Sequence, residues 1–259
     1  MPSNLPLQGR QIVLTGTKMT DSVFSKITAL GGTVHYLPLI TVHEIETPED
    51  SIMLHRAFSS EWLIFTSQNA VQAFSNKLKR LNKAKENCRA KIAVVGEKTA
   101  QALQKLGFTI DFMPSTYSAD IFVKEFPNHV GPLKSCLFLK GSLAKATIKE
   151  GLPFPVEEWT VYETIQTTEH VSAMKKLVEQ SAPVTVIFAS PSAVDVFAKH
   201  IAPTTGWKGF QIAAIGHVTE RAIQHVGAQV DVKPEKYTMM AIIEELAKEG
   251  NLNHDRLEF

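Results

Sequence analysis

Apolar and polar positions follow two rhythms along this 259-residue chain. Short, continuously apolar runs recur at Gln11–Thr15, Thr33–Leu39, Trp62–Phe65, Ile92–Val95, Ile110–Met113, Cys136–Leu139, Val184–Phe188, Ile212–Ile215 and Val230–Val232. Runs of this kind predict strands covered on both faces. Between them, Val71, Phe74, Leu78 and Leu81 follow helical steps, and Val194, Phe197 and Ile201 repeat the rhythm. Such spacing predicts helices with one apolar face. Thr47-Pro-Glu-Asp50 predicts a helix start, with an N-cap threonine, proline at the first helical position and an acid at the third. The alternation predicts an α/β protein, with parallel sheets carrying helices on both faces.

The same pattern occurs twice. Ile64-Phe-Thr-Ser-Gln-Asn-Ala-Val71 recurs as Ile187-Phe-Ala-Ser-Pro-Ser-Ala-Val194, offset by 123 residues. Ile92 to Tyr117 recurs as Ile212 to Tyr237 at an offset of 120, with ten of 26 ungapped positions identical. That block pairs Gly96 with Gly216, Thr99 with Thr219, Gly107 with Gly227, Asp111 with Asp231, Pro114 with Pro234 and Tyr117 with Tyr237. A fainter echo joins Leu14-Thr-Gly16 to Leu139-Lys-Gly141. An internally duplicated α/β unit is therefore expected. Length alone gives a prior of about 1.7 domains. Two similar lobes are expected to enclose a cleft, and ligands of open α/β sheets sit beyond the carboxyl ends of the strands.

Composition narrows the function. Lys plus Arg number 27 and Asp plus Glu 26, a net charge of +1, with 44% hydrophobic and 20% charged residues. That is soluble-globular composition and argues against disorder. Nucleic acid is not an expected partner, because the densest basic run, Lys77-Leu-Lys-Arg80 with Lys83 and Lys85, reads as the polar end of a helix. Cys88 and Cys136 form neither a disulfide framework nor a zinc motif. The N-terminus lacks a signal-peptide pattern and no apolar run approaches a membrane span, so a cytoplasmic protein without membrane contact is expected.

Candidate chemistry concentrates where strands hand over to helices. Thr66-Ser67, Gly96 to Thr99, Gly141-Ser142, Ser190-Pro-Ser192 and Gly216 to Thr219 all stand at such junctions, and Tyr117-Ser118 and Tyr237-Thr238 precede helices. Each hydroxyl is accounted for as an N-cap. Together, repeated in both halves, the junctions also offer N–H groups and positive helix ends for carboxylates. That suits a chain with six arginines. Nucleotide-binding glycine motifs and a serine-hydrolase elbow are absent. The nine histidines are scattered, with His217 and His225 reading as surface or cap residues, so no metal site is expected. Tyr162, in Glu158-Trp-Thr-Val-Tyr162-Glu-Thr164 between the halves, reads either as a packed strand tyrosine or as a catalytic group at the interdomain seam.

In order and spacing, Phe65-Thr-Ser-Gln-Asn-Ala-Val71, Val95-Gly96 with Thr99, Val161-Tyr-Glu-Thr164, Phe188-Ala-Ser-Pro-Ser192, Ile215-Gly216 with Thr219, and Tyr237-Thr238 resemble the uroporphyrinogen-III synthase family. The resemblance covers residues 9–249. It implies two flavodoxin-like lobes joined by a two-stranded connector: residues 1–37 and 167–259 as a discontinuous lobe one, 42–162 as lobe two, and connectors near 38–41 and 163–166. It also implies cyclisation of hydroxymethylbilane to uroporphyrinogen III with inversion of ring D and loss of water, without cofactor or metal.

In that reaction, protonation of the leaving hydroxyl generates an azafulvene-type cation. Attack at the substituted carbon of ring D gives a spiro intermediate, which fragments and recloses in the inverted sense. The substrate also closes unaided without inversion, so the protein must mainly hold one geometry. By resemblance Tyr162 assists departure of the hydroxyl, as a phenol protonated at neutral pH can. Thr99 and Thr219 become cleft hydroxyls, joined by Thr66, Ser67, Gly96, Gly141, Ser142, Ser190, Ser192, Gly216 and Thr238 as substrate-binding positions. One departure is Leu14-Thr-Gly-Thr-Lys18, where family members often carry an arginine; the guanidinium–carboxylate contact is not expected here, and Lys18 is the candidate substitute. A monomer is expected, with the upstream bilane-producing enzyme as a candidate partner. The competing reading is a non-catalytic two-lobed receptor for a small polyacidic ligand.

Overall fold

The structure is a computed structural model that describes residues 5–17, 19–132, 135–180 and 182–255, with side chains to residue 251. Lys18 lies outside the described residues. The chain divides into two compact units, one of Met1–Thr41 with Ile165–Phe259 and one of Val42–Thr164.

The first unit carries β1 (Gln11–Leu14), α1 (Asp21–Ala29) and β2 (Thr33–Tyr36) from the N-terminal segment. Its later part supplies α7 (Val171–Val178), β8 (Val184–Phe188), α8 (Pro191–His200), α9 (Ala202–Thr205), β9 (Gln211–Ala214), α10 (His217–His225) and α11 (Met239–Asp255). The four strands form a sheet in the order β2-β1-β8-β9, parallel at every pairing. The second unit carries α2 (Asp50–Ser59), β4 (Trp62–Phe65), α3 (Gln68–Arg80), β5 (Lys91–Val94), α4 (Glu97–Lys105), α5 (Ala119–Val130), β6 (Cys136–Gly141) and α6 (Thr147–Gly151). The strands β3 (Ile40–Glu44) and β7 (Glu157–Gln166) contain the two points at which the chain passes between units. They complete a sheet in the order β3-β7-β6-β4-β5, in which β7, β6, β4 and β5 pair in parallel.

Parallel neighbours need long crossovers, here mostly helical, and those helices cover both sheet faces. The alternation of side chains then assigns each strand to two cores. In the first unit Val13, Val186, Phe188 and Ile212 pack with α7, α8 and α10, whereas Ile12, Leu14, Ile187 and Ala213 pack with α1 and α11. In the second, Leu63, Phe65, Ile92 and Leu137 join α2, α3 and α4, whereas Trp62, Ile64, Ala93 and Phe138 face α5 and α6. Every residue of β4 and β8 is buried, the expected result of covering two faces.

The duplication extends to hydrogen bonds. Ile92 N–H donates to Asp111 Oδ2 at 2.8 Å, and Ile212 N–H donates to Asp231 Oδ2 at 2.7 Å. This explains a departure from the sequence pattern. Ile110–Met113 and Val230–Val232 are not strands but single bridges, Ala93 with Phe112 and Ala213 with Val232. An aspartate side chain takes the amide that a longer ladder would use, and Pro114 and Pro234 then remove a donor.

Two further expectations need correction. The basic run at 77–80 is no simple solvated helix end. Lys77 is wholly buried, its Nζ 2.6 Å from Asp50 Oδ2, bonded to the Ile45 carbonyl and 5.4 Å from the Trp159 ring centre. Arg80 adds contacts to Asp50 at 2.7 Å and Glu44 at 2.9 Å. Helix α2 starts regularly at Asp50 rather than at Pro48, and the Asp50 N–H bonds the Thr47 carbonyl in the turn before it. Removing one partner of a buried ion pair leaves the other desolvated and uncompensated. Lys77→Met is therefore expected to lower stability by about 3 kcal/mol, measured by urea unfolding with tryptophan fluorescence. A loss below about 1 kcal/mol would show that Asp50 is satisfied without Lys77.

Candidate functional site

Parallel strands place their carboxyl ends on one edge of a sheet, so consecutive strand–helix junctions gather there. In the second unit this edge holds Thr66 and Ser67 after β4, Gly96 and Thr99 after β5, Gly141 and Ser142 at the end of β6, and Tyr162 on β7. In the first unit the corresponding edge holds Ser190 and Ser192 after β8, Gly216 and Thr219 after β9, and Thr238 before α11. Each unit thus collects its own share of the positions singled out from the sequence.

Several junction hydroxyls are helix caps. Ser67 caps α3 by accepting the Ala70 N–H at 3.1 Å, and Ser190 caps α8 by accepting the Ala193 N–H at 3.3 Å. Thr238 accepts the Ala241 N–H at 3.1 Å, and Ser118 accepts the Ile121 N–H at 3.2 Å at the start of α5. Gly96 and Gly216 are N-cap residues of α4 and α10 and offer backbone only. Thr99 and Thr219 stand in the first turns of those helices and are buried. Ser192, in the first turn of α8, is half-buried. Thr15 is excluded as a free junction group, because its buried hydroxyl donates to the Ile187 carbonyl at 2.8 Å.

A direct constellation of side chains among these positions lies around Tyr162. Its phenol oxygen is 3.0 Å from Ser67 Oγ, a pair separated by 95 residues in the chain. Between Lys140 and Gly141 the β6–β7 register shifts: Lys140 pairs with Thr160, but Gly141 pairs with Tyr162. Ser142 N–H donates to the Tyr162 carbonyl at 2.9 Å, and Thr164 N–H donates to Ser142 Oγ at 3.3 Å. A Cβ on residue 141 would stand 2.3 Å from Tyr162 Cζ and 2.6 Å from its hydroxyl. The ring therefore lies against the glycine backbone, partly buried against the apolar core, with its hydroxyl on Ser67.

Gly141 also has a role within the chain. Besides the ligand contact expected from its sequence position, it makes room for the tyrosine ring. The available signal was a glycine ending an apolar strand run, a common mark of close approach. In the first unit, the His217 ring is 5.4 Å from the Tyr237 ring, at the first position of α10. Tyr237 also lies where a Cβ on Gly216 would meet its ring at 2.9 Å.

Elsewhere, a groove of about 900 Å³ is lined by residues including His55, Arg56, Phe58, Lys83 and Arg89. Its residues belong to α2 and to the segment before β5, not to the carboxyl edge that carries Tyr162. Among the described residues, no group of three or more His, Cys, Asp or Glu is arranged to hold a metal ion. Among them too, no helix is long and apolar enough to cross a membrane.

The family profile described as uroporphyrinogen-III synthase HemD matches residues 21–244. Uroporphyrinogen-III synthase of Synechococcus elongatus is 28% identical over 252 residues, covering 92% of this chain and 94% of that protein. The enzyme of the same name from Chlorobaculum parvum is 29% identical over 181 residues, covering 68% and 74%. A solved structure of a mutant uroporphyrinogen III synthase from Thermus thermophilus superposes with a TM-score of 0.68 at 14% identity, covering 94% of this chain and 99% of that one. At that identity the superposition speaks for the two-lobed α/β fold alone. With the profile spanning most of the sequence, the chain belongs to the uroporphyrinogen-III synthase family.

Proposed function

We propose that the chain closes hydroxymethylbilane to uroporphyrinogen III, with inversion of ring D and loss of water, in tetrapyrrole biosynthesis. Family membership supplies the reaction class. The observation that carries the reading to residues is the seat of Tyr162, held by Ser67 and the bare backbone of Gly141 on a carboxyl sheet edge.

The chemistry asks for a proton at one oxygen and for control of one geometry. Tyr162 donates its proton to the leaving hydroxyl, the C–O bond breaks, water departs and an azafulvene-type cation remains. Carbon attack at ring D then gives the spiro centre from which the inverted ring closes. Unaided closure runs without inversion, so the protein's contribution is largely to fix which carbon is presented. The acetate and propionate chains are held by helix N-terminal amides and hydroxyls at the carboxyl edges of the sheets, drawn from Thr66, Gly96, Thr99, Gly141, Ser142, Ser190, Ser192, Gly216, Thr219 and Thr238, with Ser67 contributing through the helix start it caps rather than through its hydroxyl. Positive helix ends favour carboxylates without requiring a basic surface, in keeping with a net charge of +1.

Two measurements test this. With hydroxymethylbilane supplied and the products oxidised and resolved, type III is expected to dominate over the enzyme-free mixture; a mixture no richer in type III would overturn the assignment. Tyr162→Phe is expected to slow turnover at least about tenfold, below the usual general-acid range because this substrate is already reactive. Unchanged turnover would remove Tyr162 from the acid role.

A further inference from the structure

Ser67 stands where it can do more than end a helix. Its Oγ accepts the Ala70 N–H at 3.1 Å and lies 3.0 Å from Tyr162 Oη. A serine hydroxyl has one proton and two acceptor lone pairs. Ala70 occupies a lone pair, which leaves the direction of the proton to be assigned. The phenol, for its part, has a single proton. If it gave that proton to Ser67, it would have none for a departing hydroxyl.

We propose that Ser67 is a positioning residue that donates its proton to Tyr162 Oη, so that the phenol's own proton is turned outward to the leaving group. The inference rests on the reading of Tyr162 as the acid. Three features converge on this orientation. The Ala70 N–H polarises the serine oxygen and strengthens its O–H as a donor. The 13-residue helix α3 begins at this point, and its positive end favours negative charge on the phenol oxygen. Gly141 limits the ring's position, since the ring lies in the space a Cβ would fill. The phenol therefore has a hydrogen-bond partner at Ser67 and a backbone wall at Gly141.

The proton balance closes. The Tyr162 O–H bond breaks as its proton passes to the leaving oxygen, the C–O electron pair goes to that oxygen, and water departs. The phenolate is held by the bond from Ser67. The proton shed when the closed macrocycle regains its last pyrrole restores the phenol, so the net change is loss of one water.

The test is a double-mutant cycle on hydroxymethylbilane turnover with Ser67→Gly, Tyr162→Phe and both together. Glycine is itself a good N-cap and preserves helix α3 at little cost, while removing the hydroxyl. Ser67→Gly is expected to lower kcat about tenfold with KM changed less than twofold, the size expected for a hydrogen bond to a charged oxygen. In the Tyr162→Phe background the same change is expected to alter kcat less than twofold. Ser67→Thr, which keeps both the cap and the donor, is expected to stay within threefold of the parent. Equal losses in both backgrounds would overturn the proposal, because Ser67 would then act without Tyr162; so would an unchanged kcat in Ser67→Gly. If Tyr162→Phe alone has no effect, the acid assignment fails instead. Thermal unfolding checks the fold of each variant, and Ser67→Ala serves the same cycle if the glycine variant does not fold.

Discussion

The place of Tyr162 depends on a side chain that is missing. Its ring occupies the space in which any Cβ at residue 141 would fall, 2.3 Å from Cζ, so the phenol reaches the sheet edge only beside glycine. That contact is made by the register shift between β6 and β7, which pairs Gly141 with Tyr162. Ser142 then fixes the strand from the other side through the Tyr162 carbonyl and the Thr164 amide. The cap of α3 sets the last coordinate, because Ser67 serves the helix and the phenol together. A strand pairing, a helix start and a ring position are thus one mechanical unit.

Behind this edge lies a second constraint, the buried ammonium of Lys77. It ties Asp50 at the start of α2, the Ile45 carbonyl after β3, and the face of Trp159 on β7 to the body of α3. Trp159 is three residues before Tyr162 on the same strand, and Ser67 caps the helix that carries Lys77. Helix α3 is consequently held near both ends. A buried ion pair is costly to form and costlier to break, which makes it a fixing device more than a source of stability. It also shows how a protein of net charge +1 uses some of its cations. They serve the fold, and in the proposed function amides and hydroxyls are what meets the polyacidic substrate.

Much of the architecture was legible in the sequence because it is local and repeated. Ser67 and Ser190 cap as their junctions suggest, and the apolar runs of β4 and β8 are buried throughout. The strand-like runs at Ile110–Met113 and Val230–Val232 misled, since Asp111 and Asp231 satisfy with side chains the amides that further pairing would use. Lys77 misled for a similar reason: its partners are 27 to 82 positions away, and helical spacing carries no trace of them. The Ser67–Tyr162 bond was hidden in the same way. Both residues were candidates, but their contact depends on β4 and β7 lying on either side of β6. Strand order is long-range information. Gly141 fell between these cases, visible as a glycine at a strand end, while the ring beside it is set by the pairing of β6 with β7.

The central claim is that the Tyr162 phenol delivers the proton that starts ring closure. Its most direct test is a crystal structure with a bilane analogue that keeps the terminal hydroxymethyl group but cannot cyclise. The account predicts Tyr162 Oη within about 3.2 Å of the hydroxymethyl oxygen, or one water away, with Ser67 still on the phenol. An analogue bound with that oxygen beyond reach of Tyr162, against another donor, would contradict it.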